Sequence, residues 1–206
     1  MCYRTKLNKK IFSLEKSLDA RFLEPDKYQP QLEINAFSFS ETPVITYDSP
    51  GEIQLFQWGL IPFWAKDDSI KKMTLNSKIE TAAEKPAFRN SVDNRCLVIA
   101  EAYYEWQWLD PKGKTKQKFI LEPKDQEIFA FAGIFSTWKN PENNNIINSY
   151  SILTTQANEL MSKVHNNKKR MPVVLKPQDH KNWLQGSDLR NFAFPYDVPL
   201  TATPID

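Results

Sequence analysis

The sequence predicts an α+β fold, a curved and largely antiparallel, barrel-like sheet with helices on its flanks. Short strand-like runs recur along the chain, and helix-like segments fall between them without βαβ regularity. A turn carrying Pro and Gly joins two of the runs as a hairpin. From the N-terminus, Leu14, Leu18 and Phe22 stand at helical spacing, so Ser13 to Phe22 reads as an amphipathic helix closed by Pro25 and Pro30. Strand-like runs follow at Glu33 to Phe39, Pro43 to Tyr47 and Ile53 to Gly59. Asn76 to Phe88, with Thr81-Ala82-Ala83-Glu84 ahead of Pro86, reads as a helix. Strands resume at Arg95 to Ala100, Tyr103 to Trp108, Lys118 to Glu122 and Ile128 to Phe135, and Asp110-Pro111-Lys112-Gly113 turns the second of these into the third. Asn143 to Asn148 is a polar loop tip, Ser149 to Thr155 a strand and Asn158 to Val164 a short helix. Arg170-Met171-Pro172 leads into a strand at Val173 to Leu175, and a last helix begins after Pro177.

With 206 residues, 41% of them hydrophobic, the chain has material for one well-packed domain over 1–206, and wholesale disorder is excluded. A net charge of +2 does not announce a nucleic-acid binder, but clustering of charge matters more than its total. Aromatics reach 13%, with six Trp, enough to furnish a core and leave stacking platforms for bases. Two cysteines make no disulfide scaffold, the opening segment is broken by Lys6, Asn8, Lys9, Lys10 and Glu15 rather than forming a signal h-region, and no run of about eighteen apolar residues exists to span a membrane. The expectation is a cytoplasmic protein with reduced thiols, a monomer with no membrane attachment and no cofactor. Zinc is arithmetically possible from Cys2, Cys96, His165 and His180, but no two of them stand at ligand-pair spacing, so no metal is expected.

Cys2 carries the most chemical information. Removal of Met1 leaves an α-amine and a thiol on adjacent carbons, and this 1,2-aminothiol condenses with an aldehyde to an imine that sulfur closes to a thiazolidine. The amine, with a reference pKa of about 7.7–8.0, is partly neutral at pH 7. Positive neighbours lower a thiol pKa, and Arg4 is close in sequence. The alternative is that Cys2 simply follows the start codon. Glu105, among Tyr103, Tyr104, Trp106 and Trp108, is either a desolvated acid–base group or a carboxylate that alternation turns to solvent. His165, followed by Lys168, Lys169 and Arg170, either moves protons beside a phosphate-holding run or sits on a solvated loop. Asn76 is a helix N-cap or an amide that orients a carbonyl or ring oxygen. Trp58-Gly59-Leu60-Ile61-Pro62-Phe63-Trp64 is a buried corner or an exposed aromatic shelf.

Taken in order, Met1-Cys2-Tyr3-Arg4, Trp58 to Trp64, Asn76-Ser77-Lys78-Ile79-Glu80-Thr81, Ala102 to Trp106, Ile152 to Thr155, Ala157-Asn158, and His165 with Arg170-Met171-Pro172 make the chain resemble the SRAP family. These are the SOS-response-associated-peptidase-like, or abasic site processing, proteins. The resemblance implies a single α+β domain with a barrel-like sheet that senses abasic sites in single-stranded DNA. Cys2 would form the thiazolidine crosslink with the ring-opened sugar, Asn76 would orient the amine and sugar, Glu105 would assist ring opening and proton transfer, and His165 would be the second acid–base group. Arg4, Lys78 and Arg170 would hold phosphates, with Thr154 beside them, and Pro62, Phe63 and Trp64 would form the shelf where DNA turns. Strand opening by β-elimination, slow self-reversal and autoproteolytic removal of Met1 are also implied. The sequence departs from the pattern at Tyr3 for Gly, which crowds the backbone near the nucleophile, at Lys78 for Arg, which keeps charge but loses the bidentate fork, and at Glu101-Ala102 for Asp-Gly. Four residues rather than one separate His165 from Arg170, so the extra ones must bulge outward if both are to keep their places.

Two other functions use the same residues. In an N-terminal-nucleophile peptidase or amidase, Cys2 attacks an amide, and activity survives without DNA. In a non-catalytic single-stranded DNA module, aromatics stack, basic residues track phosphates, and Cys2→Ala is fully tolerated.

Overall fold

The computed structural model describes residues 2–206. Its elements run β1 (Arg4–Leu7), α1 (Ile11–Leu18), β2 (Arg21–Phe22), β3 (Gln31–Asn35), β4 (Glu41–Thr46), β5 (Ser49–Trp58), β6 (Asn76–Lys78), β7 (Arg95–Ala100), β8 (Ala102–Trp108), β9 (Lys116–Pro123), β10 (Phe129–Lys139), β11 (Ile146–Gln156), α2 (Glu159–Val164), β12 (Arg170–Pro172), β13 (Val174–Leu175), α3 (His180–Leu184) and β14 (Leu200–Ile205).

Strands β5, β4, β7, β10 and β11 are joined in that order by antiparallel ladders. The ring closes where β5 meets β11 in parallel, Gln57 beside Ser149 and Trp58 beside Tyr150. Closure removes the free edges that an open sheet would expose. A second antiparallel sheet has the order β14-β9-β8-β1-β3. It packs on the barrel through contacts such as the edge-on pair Tyr103 and Phe131, 5.6 Å between ring centres. Strands covered on both sides read as unbroken apolar runs, which explains why every residue of β7 is buried and why β10 is buried from Phe129 through Ser136. Gly133 is needed in β10 because a Cβ there would lie 2.6 Å from Val98 Cγ2 and 2.7 Å from Cys96 Sγ.

The α+β barrel expected from the pattern is present, and the hairpin β8–β9 turns at Gly113, whose N–H reaches Asp110 O at 3.0 Å with φ at +64°. Four local expectations are corrected. Helix α1 stops at Leu18, since Asp19 adopts a left-handed cap, and Phe22 is instead buried in β2 beside Ile53. Asn76 does not cap a helix. Residues 76–78 form β6, parallel to Ile152–Thr154, because the edge of β11 offers unpaired backbone groups there. Residues 79–88 are successive turns, and Pro86, lacking an N–H, prevents them from propagating as a helix. The polar tip ends at Asn145, with Ile146 already in β11, and the C-terminal strand β14, which pairs with β9, had no counterpart in the sequence reading.

Candidate active site

Cys2 lies just ahead of β1, whose ladder with β8 sets Arg4 beside Tyr104 and Thr5 beside Tyr103. Continuing that antiparallel register brings Tyr3 level with Glu105. Cys2 is 0% exposed, and its S–H points at the Arg4 carbonyl, 3.8 Å away. Its own carbonyl accepts a 2.8 Å hydrogen bond from Asn76 Nδ2. The strand placement of Asn76, rather than a helical one, is what aims this amide at Cys2. Asn76 Oδ1 is buried and has no hydrogen-bond partner among the described residues.

Glu105 is 3% exposed and influences both other candidate groups. Burial pushes the Cys2 thiol well above its ordinary range, and the negative charge of Glu105 pushes it further. The expected lowering of the thiol by Arg4 is therefore corrected: the resting thiol is protonated, and the Arg4 guanidinium is paired with Glu33, which also takes Lys118 Nζ at 2.6 Å. At His165, burial lowers the imidazole below 6.5 and outweighs the opposing effect of Glu105, so the ring is neutral near pH 7.

The helix that carries His165 is well defined locally. Asn158 Oδ1 accepts from Met161 N at 2.7 Å at the N-terminus of α2, and His165 N–H closes on Met161 O at 2.7 Å at its end. The four residues after His165 do bulge outward. Asn166 clamps the end of β8 through both Trp108 backbone groups, at 3.0 and 2.9 Å, and Lys169 turns back with φ at +49°. The chain returns so that Arg170 O lies 2.8 Å from His165 Nδ1, and the longer spacing leaves the two residues in contact.

Glu105 and His165 open onto a cleft of about 210 Å³. Tyr3, Trp106 and Trp108 form its aromatic walls, with Lys116, Asn167 and Lys168 at its margin. Tyr3 packs on Phe37 at 5.2 Å between ring centres and lines the cleft. A larger groove of about 1100 Å³ between α1 and α3 contains none of the predicted site residues. Among the described residues, no three His, Cys, Asp or Glu side chains are arranged to hold a metal ion, and no helix is long and apolar enough to cross a membrane.

The other predicted positions divide. Lys78 is exposed on β6. Arg170 is occupied by Glu80 at 2.8 and 3.1 Å, and Thr154 is 0% exposed, bonded to Ser77 O and approached by Arg170. Thr154 also lies where β6 and β12 pair with the two edges of its strand. The Trp58–Trp64 stretch is both things that its sequence allowed: Trp58 to Pro62 is buried corner, while Phe63 and Trp64 are 63% and 47% exposed. Its root, Trp58, pairs with Tyr150, and Asn76 pairs two residues further along β11, so shelf and site share one strand edge. Tyr3, Trp106, Trp108, Lys116, Asn167 and Lys168 were not named as site residues in the sequence reading. The hairpin signal held part of that information, since its register sets Trp108 opposite Lys116. The expected removal of Met1 concerns a residue outside those described.

A family model described as SOS response associated peptidase (SRAP) matches residues 1–205. The chain is 38% identical to abasic site processing protein YoqW of Bacillus subtilis over 184 residues, covering 86% of this chain and 79% of that protein. It is 29% identical to abasic site processing protein HMCES of Gallus gallus, covering 65% of this chain and 45% of that protein. A crystal structure of a protein from Bacteroides thetaiotaomicron superposes with a TM-score of 0.88 at 30% identity, covering 100% of this chain and 92% of the other.

Proposed function

Because the chain belongs to the SRAP family, we propose that it processes abasic sites in single-stranded DNA by capturing the sugar aldehyde covalently on Cys2. The observation that carries this reading is that an amide and a buried carboxylate converge on one N-terminal residue, with a neutral imidazole beside that carboxylate: Asn76 bonds the Cys2 carbonyl, Glu105 acts electrostatically on the Cys2 thiol, and Glu105 and His165 line one cleft. The curated relatives named abasic site processing proteins support it.

Loss of Met1 frees the Cys2 α-amine. Its nitrogen adds to C1′ of the open aldehyde, and the carbinolamine expels water to leave an iminium. The Cys2 sulfur then adds to the same carbon, its proton passes to Glu105 or His165, and the product is a thiazolidine plus one water. A thiol kept protonated by burial needs such a proton acceptor, and Glu105 is buried where it influences that thiol. From the iminium, removal of a C2′ proton expels the 3′ phosphate, which gives strand opening. Reprotonation of the thiazolidine sulfur reopens the ring to the iminium, and addition of one water to that carbon releases the aldehyde and the free Cys2 amine, which reverses the crosslink. Lys78, Lys116 and Lys168 hold phosphates, Trp106 and Trp108 line the aldehyde cleft, and Phe63 and Trp64 supply a stacking surface. Autoproteolytic removal of Met1 precedes this chemistry: the Met1–Cys2 amide is cleaved with one water, which releases methionine and the Cys2 α-amine. The protein acts as one cytoplasmic, monomeric domain spanning 1–206.

The deciding experiment incubates the protein lacking Met1 with single-stranded DNA bearing one abasic site. A denaturing gel should show an adduct whose intact mass equals protein plus DNA less one water. Cys2→Ala should abolish it. An adduct formed by Cys2→Ala at the wild-type rate would overturn the proposal.

A further inference from the structure

We propose that Glu80 is a positioning residue for His165, acting through Arg170; this rests on the reading of His165 as a proton-transfer group in aldehyde capture. Glu80 follows β6 and Arg170 begins β12, and these two strands flank opposite edges of β11. The side chains meet across that strand. Glu80 Oε2 accepts from Arg170 Nη2 at 2.8 Å and Oε1 from Nη1 at 3.1 Å, a two-pronged pair. Thr155 Oγ1 donates to Glu80 Oε1 at 2.9 Å, and Arg170 Nη2 also donates to Thr154 O at 2.6 Å. The Arg170 side chain is only 15% exposed, so its charge requires this partner. Burial raises the Glu80 carboxyl, but the Arg170 and Thr155 bonds outweigh it and hold the group ionised below the ordinary carboxylate range.

The clamp fixes the backbone of Arg170, and that backbone holds the imidazole. Arg170 O lies 2.8 Å from His165 Nδ1, whereas Arg170 N–H approaches the same nitrogen only to 3.4 Å. The shorter contact dominates, so this network assigns the Nδ1–H tautomer and makes Nε2 the proton-accepting nitrogen. Glu80 thus ties the strand of Asn76 to the loop of His165. It also accounts for why Arg170 is held inside the protein although its charge suits a phosphate.

Two measurements test the proposal. The first needs no DNA: ¹⁵N-resolved NMR of the His165 ring in wild type, Glu80→Gln and Glu80→Ala, with thermal melting to confirm folding. Wild type should show the Nδ1–H form, and the variants should show a tautomer mixture and a displaced titration midpoint, Glu80→Gln less so than Glu80→Ala. Unchanged ring signals in a folded variant would overturn the proposal. The second is a double-mutant cycle on the rate of adduct formation with abasic single-stranded DNA. Glu80→Ala should slow the reaction on the order of tenfold to a hundredfold in the wild-type background and have no further effect on His165→Ala. Equal slowing in both backgrounds would show that Glu80 does not act through His165. If wild type forms no adduct at all, aldehyde capture fails as a reading, while the ring measurement still decides whether the clamp positions His165.

Discussion

Asn76 Nδ2 donates to the carbonyl oxygen of Cys2 at 2.8 Å, across 74 positions of sequence. The contact exists because β6 lies along β11 while the N-terminus runs beside β8, so two sheets supply its two ends. It pins the backbone of the proposed nucleophile by a neutral amide that leaves the charge near Cys2 unchanged.

Asn76→Asp should therefore be more damaging than Asn76→Ala. A carboxylate facing a carbonyl oxygen replaces attraction with repulsion, and a buried hydrogen bond lost in this way costs about 1–3 kcal/mol. Single-turnover crosslinking should slow on the order of tenfold to a hundredfold, with DNA affinity retained. Wild-type rates for both variants would remove Asn76 from the site.

His165 should titrate below 6.5, because burial disfavours its charged form more strongly than Glu105 favours it. Glu105→Gln removes the favourable charge and should move the midpoint lower still. The unfolded chain binds this proton more readily than the folded one. The stability contributed by a neutral ring is thus complete above pH 6.5 and lost as pH falls through the folded midpoint. NMR titration reads the midpoint directly. A rise in Glu105→Gln would contradict the assigned electrostatics.

DNA binding should follow the lysines rather than the arginines. Arg4 and Arg170 are occupied by Glu33 and Glu80, whereas Lys116 and Lys168 border the cleft and Lys78 is exposed. Three phosphate contacts give a slope of log affinity against log salt of roughly −2, at about −0.7 each for single strands. Lys168→Ala should make the slope shallower by about one contact, and Arg170→Ala should leave it unchanged while slowing the reaction. Titrations at several salt concentrations separate these outcomes.

Trp64→Ala should weaken DNA binding by about 1–3 kcal/mol with the salt slope retained, since a 47% exposed indole offers a stacking face but no charge. Unchanged affinity would take the shelf off the DNA path.

Gly133→Ala tests the barrel rather than the site. The added methyl group meets Val98 and Cys96 at distances that require both to shift. Overpacking of this kind costs about 1–3 kcal/mol, measurable by denaturant unfolding. A neutral substitution would mean that β7 and β10 separate more easily than their burial implies.

Local chemistry in the sequence determined the elements whose signals are local. Asp110 to Gly113 produced the β8–β9 hairpin because Gly113 takes the positive φ that the turn needs, and Asn158 started α2 because its side chain caps the helix it precedes. Cys2, Glu105 and His165 were legible only as candidates, each beside a bland alternative, and the burial of all three was decided by the fold. Tertiary structure decided what depends on distant partners. Residues 76–78 became a strand because β11 offered an open edge, a pairing no window around Asn76 reveals. Arg4 and Arg170 carry the charge a phosphate site needs, but Glu33 and Glu80, remote in sequence, occupy both. The thiol of Cys2 is raised rather than lowered because packing removed water from it and set Glu105 nearby, and the energy of a charge depends on the medium and neighbours around it.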